Sequence, residues 1–112
     1  MPRGILLVFS DPTSAAAEID YNRWYDKTHL GEVVGVPGIV GASRFRRLIP
    51  GGANEPTEQF LAIYELEADD LSKVGDELMA FAPKFDMTGP IQLDPAPTMM
   101  WYSEITPRVS QA

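Results

Sequence analysis

A single histidine stands among aromatic residues in the stretch from Asp20 to Leu30, which also holds one of two tryptophans and two of four tyrosines. On a helix, residues four apart stand over one another, so Tyr21, Tyr25 and His29 form one stripe with Trp24 flanking it. An unperturbed imidazole titrates near neutrality and can both take and give a proton. A neighbouring tyrosine hydroxyl, from Tyr25 or Tyr21, can orient that ring or hold a substrate carbonyl oxygen. The chemistry implied is acid–base catalysis by His29 with Tyr25. The competing reading, which spacing alone favours, is a helix-end histidine bonded to a carbonyl and stabilised by the helix dipole.

Other residue types extend the pattern. Trp24, Trp101 and Tyr64 offer flat surfaces for an aromatic ligand, joined by the Tyr21 ring; ordinary core packing is the alternative for each. Arg44, Arg46 and Arg47 form the one basic cluster. They suit a carboxylate ligand, or act as edge-strand gatekeepers, or pair with acids across an interface. Asp26 and Asp86 are potential partners of His29, although helix geometry sets Asp26 roughly a quarter-turn away.

Several chemistries are excluded by composition. The chain has no cysteine, which removes disulfides, thiolate nucleophiles and thiolate metal sites. One histidine among scattered carboxylates is a poor transition-metal site, no Gly-x-Ser-x-Gly elbow is present, and the Gly51-Gly52 loop lacks the lysine and helix of a phosphate cradle. Haem could use His29 as an axial ligand, but nothing else in the motif asks for it. No cofactor and no metal are expected. A formal charge of −7 argues against nucleic acid and against an anionic membrane surface. Ile5 to Phe9 is too short for a signal peptide's apolar core, no run approaches a membrane span, and a cytoplasmic location is expected.

The positioning elements follow from pattern. Gly4 to Ser10 reads as a buried strand, and Asp11-Pro12, with Ser14 as rival cap, opens a helix running to about His29. Leu30 to Val36 adds one further turn before the Pro37-Gly38 turn. Ile39 to Ile49 alternates, with Ile39, Gly41, Ser43 and Phe45 on one face and Val40, Ala42, Arg44 and Arg46 on the other. Pro50 to Pro56 is a hairpin loop, and Phe60 to Leu66 a third strand. Asp69 or Asp70 caps a second helix whose apolar face is Leu71, Val74, Leu78 and Phe81, ended by Pro83. A connection from Ala82 to Pro97 with four prolines has the length of a functional loop or lid. Thr98 to Ile105 is the fourth strand. One domain, 1–106, with a loose tail over 107–112, is expected.

The order β-α-β-β-α-β predicts an α+β ferredoxin-like fold with a four-stranded antiparallel sheet. Strands one, three and four carry apolar residues on both faces, and two helices cover only one face. A second copy of the chain is the simplest cover for the other. The second strand, alternating with charge, suits an edge.

That order, with Asn22 to His29 and Val36-Pro-Gly-Ile-Val-Gly-Ala-Ser-Arg-Phe45, resembles the dimeric α+β barrel superfamily and, within it, EthD-like proteins. The resemblance implies a homodimer with its sheets face to face and a small cavity between each sheet and its helices. Relatives include cofactor-free monooxygenases, polyketide cyclases, muconolactone isomerases and haem enzymes, and EthD is associated with degradation of an ether pollutant. In several relatives a histidine matching His29 faces the cavity. Two functions follow as expectations. One is a cofactor-independent enzyme on a small aromatic or polyketide-like carbonyl compound, with a cofactor-free monooxygenase as its variant. The other is a non-catalytic dimer that binds an apolar or aromatic small molecule or assists a pathway enzyme. The expected cavity lies between sheet and first helix, with the Pro83 to Pro97 connection over its mouth.

Overall fold

The computed structural model describes residues 1–48 and 58–112; the hairpin loop expected over Pro50 to Pro56, and the strand end at Ile49, lie outside the described residues. Four strands, β1 (Arg3–Ser10), β2 (Ile39–Arg46), β3 (Phe60–Glu67) and β4 (Thr98–Ser103), form one antiparallel sheet in the order β2-β3-β1-β4. The fold is the expected ferredoxin-like one, and β2 is an edge strand as its charge pattern predicts. β4 is the other edge. It stops two residues early, at Ser103, and the exposed Ile105 lies beyond it.

Alternation assigns the two faces. Leu6, Ser10, Phe60, Ala62, Tyr64 and Leu66 are buried beneath the helices, and Leu7, Phe9, Leu61 and Ile63 point the opposite way. The register interrupts this alternation in β2. Ile39 pairs with Leu66 and Gly41 with Glu65, so a bulge at Val40 separates Ile39 from the face of Gly41, Ser43 and Phe45. Ile39 is therefore buried on the helix side, contrary to the simple alternation expected. Gly38 just before it has φ +92°, where a Cβ would also collide with Val74.

The first helical segment is continuous but irregular. Asp11 does not cap it: its carboxylate accepts the backbone N–H groups of Glu58 (2.7 Å) and Gln59 (2.8 Å) instead. Ser14 is the cap, its hydroxyl accepting from Ala17 N–H at the head of a 3₁₀ turn (Ala15–Ala17). Then come α1 (Glu18–Trp24), a π-helical turn (Tyr25–His29) and α2 (Leu30–Val34). The other helix, α3 (Ser72–Phe81), is regular. Val74 and Leu78 are buried, Leu71 and Phe81 partly so, and Asp70 accepts from the Ser72 N–H at its head. A 3₁₀ turn (Ala82–Lys84) containing Pro83 follows. The connection after it has one bridge, Ile91 to Pro12, before β4.

Candidate functional site

The π turn arranges the aromatic cluster. Its signature is the Leu30 N–H bonded to the Tyr25 carbonyl, five residues back. On an α-helix, residues five apart point about 140° away from each other. Here Trp24 and His29, five apart, stack with ring centres 4.8 Å apart and planes 16° off parallel. The Tyr25 ring meets His29 edge-on at 5.0 Å, and Phe85 from the connection meets it at 5.7 Å. Trp24 is held from its other end, its indole N–H donating to the Asp86 carbonyl at 2.9 Å. The Asp86 N–H donates in turn to the Glu32 carboxylate at 2.8 Å, so the first helical segment and the connection are clasped together.

Behind these rings lies a cavity of about 330 Å³ bounded by β1, β3, β4, both helical segments and the connection. Its walls are apolar, among them Leu6, Val33, Leu78, Phe85 and Met99. Three polar side chains reach it: Tyr25, His29 and Tyr64. The Tyr25 and Tyr64 hydroxyls are 3.2 Å apart and hydrogen-bonded. Burial pushes the Tyr25 phenol up to about 12 and raises Tyr64 as well, so both remain protonated at neutral pH. A second concavity of the same volume lies around Ile5, Glu65, Tyr102 and Arg108, away from His29 and the aromatic cluster.

His29 sits with its side chain 13% exposed and its Nδ1 3.9 Å from the Glu32 carboxylate, too far for a hydrogen bond. Burial lowers its pKa; Glu32 opposes that shift and the Arg44 charge adds to it. Burial outweighs the carboxylate, so the imidazole is neutral at pH 7 and no ion pair with Glu32 forms. A neutral, desolvated imidazole beside a phenol donor can accept a proton from a bound molecule and return it.

No family model matches this chain, and no curated protein does. Among solved structures it is similar to an EthD-family protein of Bacillus halodurans C-125, at 18% identity and a TM-score of 0.50, over 94% of this chain and all of that one. The likeness shows a shared fold, an α+β arrangement of helices on a four-stranded antiparallel sheet. A candidate monooxygenase of Shewanella loihica PV-4 aligns over 100% of this chain and 99% of its own at 12% identity, with a TM-score of 0.49, too loose to carry an argument.

In this fold the six residues singled out by type and spacing separate into two groups. Tyr25, His29 and Tyr64 come together at the cavity wall. Tyr21 is fully buried next to them, its hydroxyl bonded to that of Ser10 (2.5 Å), and it does not border the cavity. Trp24 contributes by stacking on His29. Trp101 is paired with Leu6 across the β1–β4 ladder and packs over Gly75 of α3, clear of the cavity.

The charged residues are also rearranged. Asp26 binds Arg44 (2.6 Å), not His29, and the Asp86 carboxylate accepts from the Thr88 N–H. Arg44 is no solvent-facing gatekeeper. It lies 89% buried against the first helical segment, its guanidinium 4.2 Å from the Tyr25 ring centre, with one nitrogen on Asp26 and the other on Asn22. Arg46 pairs with Glu18. Glu32 and Phe85, which complete the surroundings of His29, were not singled out by sequence. Glu32 stands three residues after His29, a spacing that brings side chains together on a helix.

Proposed function

We propose that this chain is a cytoplasmic homodimeric enzyme that needs no cofactor and acts on a small aromatic or polyketide-like carbonyl compound. One observation carries the reading: the neutral His29 imidazole borders an otherwise apolar cavity beside the Tyr25 hydroxyl. With Nδ1 turned toward Glu32, the other ring nitrogen is the base. It takes a proton from the carbon next to the carbonyl, the C–H bond breaks, and the electron pair moves onto the carbonyl oxygen. Returning that proton to another carbon gives isomerisation. If the enolate carbon attacks a second carbonyl, whose oxygen takes up the proton, the result is cyclisation; if a group on the next carbon leaves and carries the proton away, the result is elimination. In decarboxylation the base instead takes the acid proton of an uncharged β-keto acid, the bond to the departing carbon dioxide breaks with its electron pair moving onto the carbonyl oxygen, and the proton returns to the carbon. The tyrosine stabilises the developing oxyanion. The volume lies near the lower end of the ~300–1,000 Å³ usual for small-molecule sites.

A dimer is supported by the bare sheet face. Leu7, Phe9, Leu61, Ile63 and Met100 point away from the helices, and no described element covers them. Joining two such faces should bury at least the ~1,600 Å² of a standard interface. Sedimentation giving a stable 12.4 kDa monomer at micromolar concentration would remove this part of the proposal. Among the described residues no helix is long and apolar enough to cross a membrane.

For the reaction, His29→Ala should lower turnover of a true substrate ~100-fold or more while ligand affinity changes little. Oxygen consumption during turnover would redirect the reading to a monooxygenase. One feature favours the non-catalytic alternative: among the described residues His29 Nδ1 has no hydrogen-bond partner, whereas a working base is usually oriented by one. Tight binding with no chemical change across carbonyl compounds that fit would decide for a binding or accessory dimer.

A further inference from the structure

The cavity has a marked charge character. Of the sixteen residues that border it, thirteen have apolar side chains, and the other three are Tyr25, His29 and Tyr64. None carries a formal charge when the histidine is neutral. Arg44 lies over the Tyr25 ring, 4.2 Å from its centre, but does not border the cavity, and its terminal nitrogens are taken by Asp26 and Asn22. An anion entering this space would lose its hydration and meet no counter-charge.

The tyrosine pair adds a second constraint. Two hydroxyls carry two protons, and the 3.2 Å bond between them uses one. Neither hydroxyl has another partner among the described residues, so one O–H is left for a ligand. A phenol whose own oxygen already accepts a hydrogen bond is a stronger donor through it. We infer that the cavity selects uncharged ligands bearing one acceptor oxygen, bound by the free proton of the Tyr25–Tyr64 pair, and rejects carboxylates of the same shape. This inference rests on the reading of the cavity as the small-molecule site and specifies the ligand class it takes.

Three probes of one shape test it on the full chain at pH 7.5 by calorimetry: 2-acetylnaphthalene, 2-naphthoate and 2-ethylnaphthalene. The ketone should bind best, with the oxygen-free compound about tenfold weaker and the carboxylate at least ~100-fold weaker. The double variant Tyr25→Phe/Tyr64→Phe removes both buried partners together, a change that leaves no unpaired group and preserves the fold. In it the ketone should fall to the affinity of 2-ethylnaphthalene, which itself should not change. Tyr64→Phe alone, which leaves one hydroxyl, should keep part of the preference. Naphthoate binding within about threefold of the ketone, or an undiminished ketone preference in the double variant, overturns the inference alone. Failure of all three probes to bind overturns it together with the ligand-cavity reading.

Discussion

The two helical regions on the covered face of the sheet do different work. The α3 helix is regular and buries the apolar ridge of Val74 and Leu78; it packs on the sheet and gives the cavity only apolar wall, through Leu78 and Met79. The segment from α1 to α2 buries Tyr21, Trp24 and Tyr25 and is broken by a π turn. A regular helix would have served burial equally well. The extra residue of the π turn brings Trp24 over His29 and sets Tyr25 across the imidazole edge. Irregularity in a helix is retained where it aims side chains, and here it aims the only histidine into the cavity.

That contrast makes Trp24 the most sensitive position. Trp24→Ala removes the ring on which His29 stacks and the N–H that holds Asp86, and should cost ~3–5 kcal/mol with loss of ligand binding. Retained affinity in a folded Trp24→Ala protein would break the link between the π turn and the site. On α3, Val74→Ala should cost about 2–3 kcal/mol and leave ligand affinity unchanged, because Val74 is buried but does not border the cavity. If denaturation and calorimetry show affinity falling with stability, the division between a helix that gives only apolar packing and one that supplies the polar groups is wrong.

Smaller effects sharpen the contrast within the first segment. Tyr21→Phe strips the buried Ser10 hydroxyl of its partner and should cost ~1–3 kcal/mol, with little change at the cavity. An affinity loss as large as that of Tyr25→Phe would place Tyr21 in the site. The smallest effect is a pH dependence. The folded pKa of His29 lies below its ordinary 6.5, so between the two values the unfolded chain binds more protons. Its contribution to stability is therefore present above 6.5 and lost as pH falls through the folded pKa. His29→Gln should flatten the stability profile in that window, and an unchanged slope would mean that the imidazole is not desolvated.

Much of the fold was legible because it depends on local patterns. Apolar runs marked the strands, and the spacing of Leu71, Val74, Leu78 and Phe81 marked α3. The doubly apolar strands indicated a sheet with one face left bare. Cap assignment was less secure, since a carboxylate such as Asp11 satisfies distant backbone groups as readily as its own helix. The bulge at Val40 and the π turn were invisible for a related reason. Each inserts a single residue that alters which face later side chains take, and no residue type is required at the insertion.

The sequence by itself determined the chemistry available. One imidazole, no thiol and a cluster of aromatic rings around the histidine are the groups on which the proposal of proton transfer and apolar binding rests. It also determined that Tyr25 and His29 belong together, because four residues of helix nearly close one turn. Tertiary structure alone decided which groups meet them. Tyr64 joins Tyr25 across 39 positions of chain, Phe85 and Asp86 arrive on the connection, and Trp101 is drawn off toward Gly75. Arg44, exposed by every local criterion, is folded under the first helical segment by the register of β2, where Asp26 and Asn22 hold its charge away from the cavity. Local sequence fixes periodicity and composition, whereas contacts between distant segments depend on strand register and on how helices sit upon the sheet, which are properties of the whole packed chain.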